Sequence, residues 1–286
     1  MEREADLSWV KIIKKYNYPD FRSWWQLINT IIPFTALWFL MFYSLDYSYW
    51  ITLGLAFLAG AFSIRLFIIF HDCGHGSFFK SKNLRTVVGV ITGLILFTPY
   101  KRWHFDHLIH HQTVGNLDKK GIGDVRTFTV EEFIKFSPVQ RFLYGISRHP
   151  ITLFIIGPFL LFLVIFRIPF KYHSREVKIS NHLTTLALGI MVTGFCLLMG
   201  TTNYLLIQIP VLFFGSAQGI WLCYVQHQYE DVSWERQDEW DYKTIALDGS
   251  SYLKLPRIIQ WFTGNIGFHH IHHLSPSIPN YKLESC

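Results

Sequence analysis

Cysteine is scarce in this chain and shows no pairing pattern. Cys73, Cys196, Cys223 and Cys286 are its only four cysteines, with no CxxC spacing, and two sit in or beside apolar runs. That argues against a disulfide framework and against a zinc knuckle. The zinc-protease signature HExxH is also absent. No repeat, low-complexity tract or Gly/Ser linker divides the 286 residues, so they read as one domain, 1–286. Residues 1–25 lack an apolar core followed by a cleavage site, so no cleavable leader is read there. Charge is thin: 16% of residues are charged and 50% are apolar.

The charge that exists is placed informatively. The net charge is +6, and its lysines and arginines gather at the ends of apolar runs: Lys11, Lys14, Lys15 and Arg22; Lys80, Lys82 and Arg85; Lys101 and Arg102; Lys119 and Lys120. This is the pattern of a membrane surface and predicts no nucleic-acid partner. The apolar residues fall in blocks, at 28–44, 50–70, 183–199 and 204–224. A bilayer crossing takes roughly 20 such residues. The expectation is an all-α integral membrane protein with four transmembrane helices. LDYSY (45–49) and GTTN (200–203) are short enough to make the connections tight hairpins.

Two further apolar runs need a different reading. Residues 86–100 are short for a crossing, and 151–170 are interrupted by Gly157-Pro158 and flanked by Arg148 and Arg167. Three histidine clusters end at residues 75, 111 and 273. If they build one site, an even number of crossings must separate each from the next. Both runs are therefore expected to re-enter or to lie in the interface. The basic flanks put the shared face in the cytoplasm, with 71–182 and 225–286 as a helical cap. Within that cap, Thr129-Val-Glu-Glu132 has the form of a capping box and predicts a helix start.

Histidine is abundant: 14 in all, nine of them in a telling arrangement. His71 and His75 lie in HDCGH, His107, His110 and His111 in HLIHH, and His269, His272 and His273 in HHIHH; His227 stands alone in YVQHQYE. A helix turns about 100° per residue, so positions i, i+3 and i+4 share an arc of about 100°. HxxxH and HxxHH thus aim two or three imidazoles one way. Within HHIHH, adding His270 widens the arc to about 160°. A pH sensor is the bland alternative, but like charges this dense would repel. Metal binding follows, and eight or nine imidazoles imply two ions, or one ion with many spares. Imidazole suits zinc, copper, iron and nickel, and spacing alone does not choose among them. His104 shares the face of His107. His149, His173 and His182 are isolated and read as surface residues. Trp103, Trp234, Trp240 and Trp261 read as interfacial or packing residues, and Arg65 is expected to snorkel or pair.

HDCGHGSFFKS, PYKRWHFDHLIHHQTVGNLDKKGIGDV, YVQHQYED and NIGFHHIHHLSPSIPNY together resemble the membrane fatty acid desaturases, with bacterial and cyanobacterial acyl-lipid desaturases of delta-12 (omega-6) and delta-5 type nearest. The resemblance runs from the first span to Tyr281. It implies a non-haem di-iron centre that uses O2 and two electrons to form a double bond in the acyl chain of a membrane lipid. The metal ligands it implies are His71, His75, His107, His110, His111, His227, His269, His272 and His273. His104 and His270 fall outside that pattern. Asp72, Asp106 and Asp124 are candidates to hold ligand imidazoles by their second nitrogen, and Asn265 to act as a polar or water-bridged neighbour. A separate ferredoxin-like or flavodoxin-like electron donor is implied, and the chain's early end after His273 is expected to weaken cap folding or donor docking. Two rivals remain: a membrane di-iron hydroxylase of alkyl or lipid substrates, and a non-catalytic metal transporter or sensor. A transporter would place ligands along a path within its spans.

Overall fold

The computed structural model describes residues 8–119, 121–123 and 125–286. Among them no β-strand forms; two isolated bridges join Asn116 to Glu235 and Tyr252 to Phe268. In chain order the helices are α1 (Ser8–Lys14), α2 (Arg22–Ser44), α3 (Tyr49–His75), α4 (Lys82–Ile95), α5 (Tyr100–Thr113), α6 (Val130–Ile134) and α7 (Pro138–Arg148). An irregular helical stretch, Thr152–Arg167, follows. Then come α8 (Arg175–Met199), α9 (Thr201–His227), α10 (Tyr242–Asp248), α11 (Arg257–Phe262) and α12 (His269–Leu274).

Four helices, α2, α3, α8 and α9, are long and apolar enough to cross a membrane. Each is longer than its apolar run. Hydropathy registers only the residues that meet lipid, whereas the backbone ladder continues wherever polar side chains find protein partners. So α3 carries on through His71 and His75 until Gly76, in the left-handed region at φ 78°, caps it with its N–H on the Asp72 and Cys73 carbonyls. Pro33 and Pro210 sit inside α2 and α9, as membrane helices allow.

Helix α3 is the centre of the bundle. Of its apolar window 61% is buried, against 6% for α8, which is therefore the lipid-facing helix. Phe34, Leu37 and Met41 of α2 and Ile207 and Val211 of α9 close on Ala56, Ala59, Phe62 and Leu66 of α3. Small residues let the backbones approach. A Cβ at Gly60 would lie 2.8 Å from that of Phe214 and 2.9 Å from the Gly215 nitrogen.

Each of the two short apolar runs lies in a sharply bent pair of helical segments. Helices α4 and α5 meet at a bend of 100°, and α7 meets the 152–167 stretch at 62°. The His75 ring at the end of α3 lies 4.9 Å from that of His107 on α5, so the chain between leaves and returns to one end of the bundle. Likewise Arg148 donates to Gln228, just past α9, at 2.8 Å, and His173 meets Asp106 of α5 at 2.9 Å. The stretch between those two points also begins and ends at the histidine end. The capping box opens α6: Thr129 N–H donates to Glu132 Oε2 at 2.9 Å, and Glu132 N–H to Thr129 Oγ1 at 3.2 Å.

Two single-residue expectations resolve. Arg65 pairs and does not snorkel. Its Nε donates to Thr30 Oγ1 at 3.1 Å, its Nη1 to the Trp261 carbonyl, and its guanidinium lies 3.8 Å from the Trp261 ring centroid. A bare arginine at mid-bilayer costs about 2.5–3.5 kcal/mol on insertion scales. A desolvated cation–π contact of about 2 kcal/mol with two hydrogen bonds offsets most of it. His149 and His182 are exposed, but His173 is buried. The surface reading of His173 is corrected, because Asp106 gives its imidazole a partner inside.

Candidate metal centre

Four elements deliver the histidines to one place. The last turn of α3 brings His71 and His75, α5 brings His107, His110 and His111, α9 ends on His227, and α12 carries His269, His272 and His273. They sort into two groups. His71, His75, His107, His111 and His272 form one, and His110, His227, His269 and His273 the other; within each, one nitrogen per residue lies within 4.8 Å of all the rest. The three histidines of HxxHH are thus divided between the groups: α5 gives His107 and His111 to the first and His110 to the second, and α12 gives His272 to the first and His269 and His273 to the second.

The nitrogen geometry tests whether a metal fits. His111 Nε2 lies 3.1 Å from both His107 Nε2 and His272 Nε2. In the second group, His273 Nε2 lies 3.3 Å from His110 Nε2 and 3.0 Å from His269 Nε2, which is 2.9 Å from His227 Nε2. An imidazole nitrogen carries either a proton or a lone pair, not both, so such chains make poor hydrogen-bond networks. A metal–imidazole bond of about 2.0–2.1 Å would set adjacent ligand nitrogens about 2.9–3.4 Å apart. The observed spacings match that separation. His75 Nε2 is buried without a partner, the condition of a ligand atom awaiting its ion. The residues present fit two metal ions.

Electrostatics point the same way. Burial first, and the neighbouring imidazoles next, hold His269, His272 and His273 well below the ordinary imidazole range. They are neutral near pH 7, as ligands must be, and unsuited to sensing pH there. Among the described residues, His71 Nδ1 meets Asp72 Oδ1 at 3.0 Å, and His227 Nδ1 meets the Gly249 carbonyl at 3.1 Å. Each contact keeps a proton on Nδ1 and turns Nε2 inward.

The other candidates lie elsewhere. Asp106 is engaged by other residues, taking His173 Nε2 at 2.9 Å and Tyr172 Oη at 3.1 Å, with Arg102 at 3.7 Å. Asp124 lies outside the described residues. Asn265 Oδ1 accepts from Gln260 Nε2 at 2.9 Å, and its Nδ2 donates to the Asn280 carbonyl at 3.2 Å. His104 and His270 belong to neither group. His270 packs 5.5 Å from the Tyr252 ring, on the side away from His269's partners. Sequence reasoning passed over Asn280, whose contacts with Asp72 join positions 208 residues apart, and the role of Trp103. Trp103 stacks on His107 at 4.3 Å and lines a cavity. Its place just beyond an apolar run, in PYKRWHFDH, was the available signal.

That cavity has a volume of about 420 Å³. Its walls include Ile64, Phe67, Leu96, Phe162, Leu212 and Gly219, and it reaches His71, His107, His110, His227 and His269. One apolar space therefore touches both histidine groups.

The fatty acid desaturase family model matches residues 48–286. The chain is 46% identical to a fatty acid desaturase of Bacillus subtilis over 91% of its own length and 74% of the relative's. The chain belongs to the fatty acid desaturase family. It is also 30% identical to an endoplasmic reticulum omega-3 fatty acid desaturase of Vigna radiata, covering 82% of this chain and 62% of that one. With a Synechocystis protein named sn-1 acyl-lipid omega-3 desaturase (ferredoxin) it shares 28% identity over 79% of this chain and 63% of that one. The chain thus spans roughly three fifths of the plant and cyanobacterial relatives. The structure joins a histidine cluster able to hold metal to an apolar space leading to it.

Proposed function

We propose that the chain is an acyl-lipid desaturase, introducing a cis double bond into the acyl chain of a membrane lipid at a non-haem di-iron centre. The observation that carries this reading is the apolar cavity bordered by both histidine groups. A saturated acyl chain offers nothing to hydrogen-bond, so shape, burial and exclusion of water must hold it. Its volume of about 420 Å³ is that of a small-molecule site. Ile64 and Phe67 on α3 and Leu212 and Gly219 on α9 would guide the chain toward the imidazoles.

The proposed ligands are His71, His75, His107, His111 and His272 for one iron, and His110, His227, His269 and His273 for the other. Bound iron would supply the oxidising chemistry: O2, two electrons and two protons take up one hydrogen from each of two adjacent methylenes, giving a double bond and two waters. The protein keeps the imidazoles neutral and oriented, holds the methylenes beside them, and leaves no bulk water to quench the oxidant. Asp72 and the Gly249 carbonyl act on His71 and His227 in this way.

In this reading the chain lies in the cell membrane, crosses it at 28–44, 50–70, 183–199 and 204–224, and holds the histidines at the cytoplasmic face, where the basic flanks lie. The electrons come from a separate ferredoxin-like or flavodoxin-like donor; the Synechocystis relative's name includes ferredoxin. Expression in a host that makes only saturated and monounsaturated lipids, followed by mass spectrometry of its fatty acids, tests the reading. New double bonds are expected. Hydroxy acids in their place would assign the oxidant to hydroxylation, and an unchanged profile with donor supplied would refute the activity.

A further inference from the structure

The segment after α12 reaches back to the first histidine cluster. Asn280 and Asp72 are each 1% exposed and His71 is 3% exposed, so the three form a chain of contacts away from water. The backbone N–H and Nδ2 of Asn280 both donate to Asp72 Oδ2, at 2.8 and 2.9 Å. The other carboxylate oxygen, Oδ1, takes His71 Nδ1 at 3.0 Å. A buried carboxylate is costly unless hydrogen-bonded, and Asn280 supplies two donors. With Oδ2 held at two points the carboxyl group cannot rotate, and Oδ1 stays on the imidazole.

Asn280 is itself anchored. Its carbonyl accepts from Asn265 Nδ2 at 3.2 Å. Next to it, Tyr281 Oη accepts from the Asp20 N–H at 3.0 Å and meets Ser23 Oγ at 2.9 Å. Lys282 Nζ donates to the Tyr18 carbonyl at 2.6 Å. Residues 280–282 thus form a strap from the segment before α2 to the last turn of α3.

We propose that Asn280 is a positioning residue of the five-histidine group, acting through Asp72 to fix the tautomer and aim of His71. This rests on the metal-binding reading of the site. The four-histidine group has its own outer contact, His227 on the Gly249 carbonyl, and the relay from Asn280 does not run to it. The two groups should therefore respond differently when Asn280 changes.

The test titrates Co(II) into the purified, metal-free full chain and follows the d–d absorption. The wild type should show two binding events of distinct spectra, since five and four nitrogen ligands differ in field. Asn280→Ala should weaken one event by roughly 10–100-fold, the usual effect of losing an outer contact. Asn280→Asp, which sets a second carboxylate against Asp72, should weaken the same event at least as much. The other event should keep its affinity in both variants. A merely structural role would lower both events together, and would shift the unfolding temperature without separating them. Both events unchanged, or both equally weakened, would overturn the proposal while leaving the metal site standing. A wild type that binds no Co(II) would overturn the metal reading, and this proposal with it.

Discussion

The two histidine groups share helices, chemistry and a cavity, yet they are built differently. The five-histidine group has a charged carboxylate behind it: Asp72 on His71, held by Asn280. The four-histidine group has a neutral carbonyl, that of Gly249, behind His227. A carboxylate on the outer nitrogen makes an imidazole a more basic ligand than a carbonyl does. On the proposed reading the first site has five imidazoles to the second's four, and one of the five, His71, rests on a carboxylate. Two metal sites in one histidine cluster need not be equivalent, because what stands behind each ring tunes it as a ligand.

The largest way to break this comparison is to remove a ligand. His272→Ala should abolish turnover, a loss of at least about 100-fold, above what outer contacts usually cost. Gas chromatography of the product fatty acids measures it. A milder change sharpens the comparison: Asp72→Asn should weaken metal binding at the five-histidine group by about 10–100-fold and spare the four-histidine group, as read by competitive chelation.

Acid should act on both groups. Burial holds His269, His272 and His273 neutral in the folded protein, whereas in the unfolded chain they take up protons below about pH 6.5. The unfolded state then binds more protons, so stability of the metal-free protein falls as pH drops below about 6.5 and is level above it. Thermal unfolding between pH 5 and 8 would show this, and a midpoint independent of pH would contradict it. The smallest effect is expected at His270→Ala, which should keep a measurable part of the activity, losing less than about 10-fold. Losses equal to those of His272→Ala would refute the division of HHIHH into three inward rings and one neighbour.

The sequence made the local features legible. Four apolar runs are enough to locate α2, α3, α8 and α9, and the requirement that the histidine clusters share one face anticipates the bends at α4–α5 and before residue 152. Helical spacing likewise separates His270 from its neighbours. What stayed hidden depends on distant pairing. Periodicity does not reveal that His173 folds onto Asp106, so one was read as a surface residue and the other as a partner of a ligand imidazole. Asn280 is a plain turn residue in SPSIPNY until the fold carries it to Asp72. Hydropathy also ended α3 and α9 early, because their polar last turns meet the histidines of α5 and α12 and not lipid.

On the proposed reading, these nine histidines hold a di-iron centre that does the chemistry. Iron per chain in the purified, active protein, measured by elemental analysis beside its desaturation rate, tests it most directly. The account predicts two irons per chain, with activity lost as iron is removed and regained as iron is restored. Full desaturation by protein with almost no iron would contradict it.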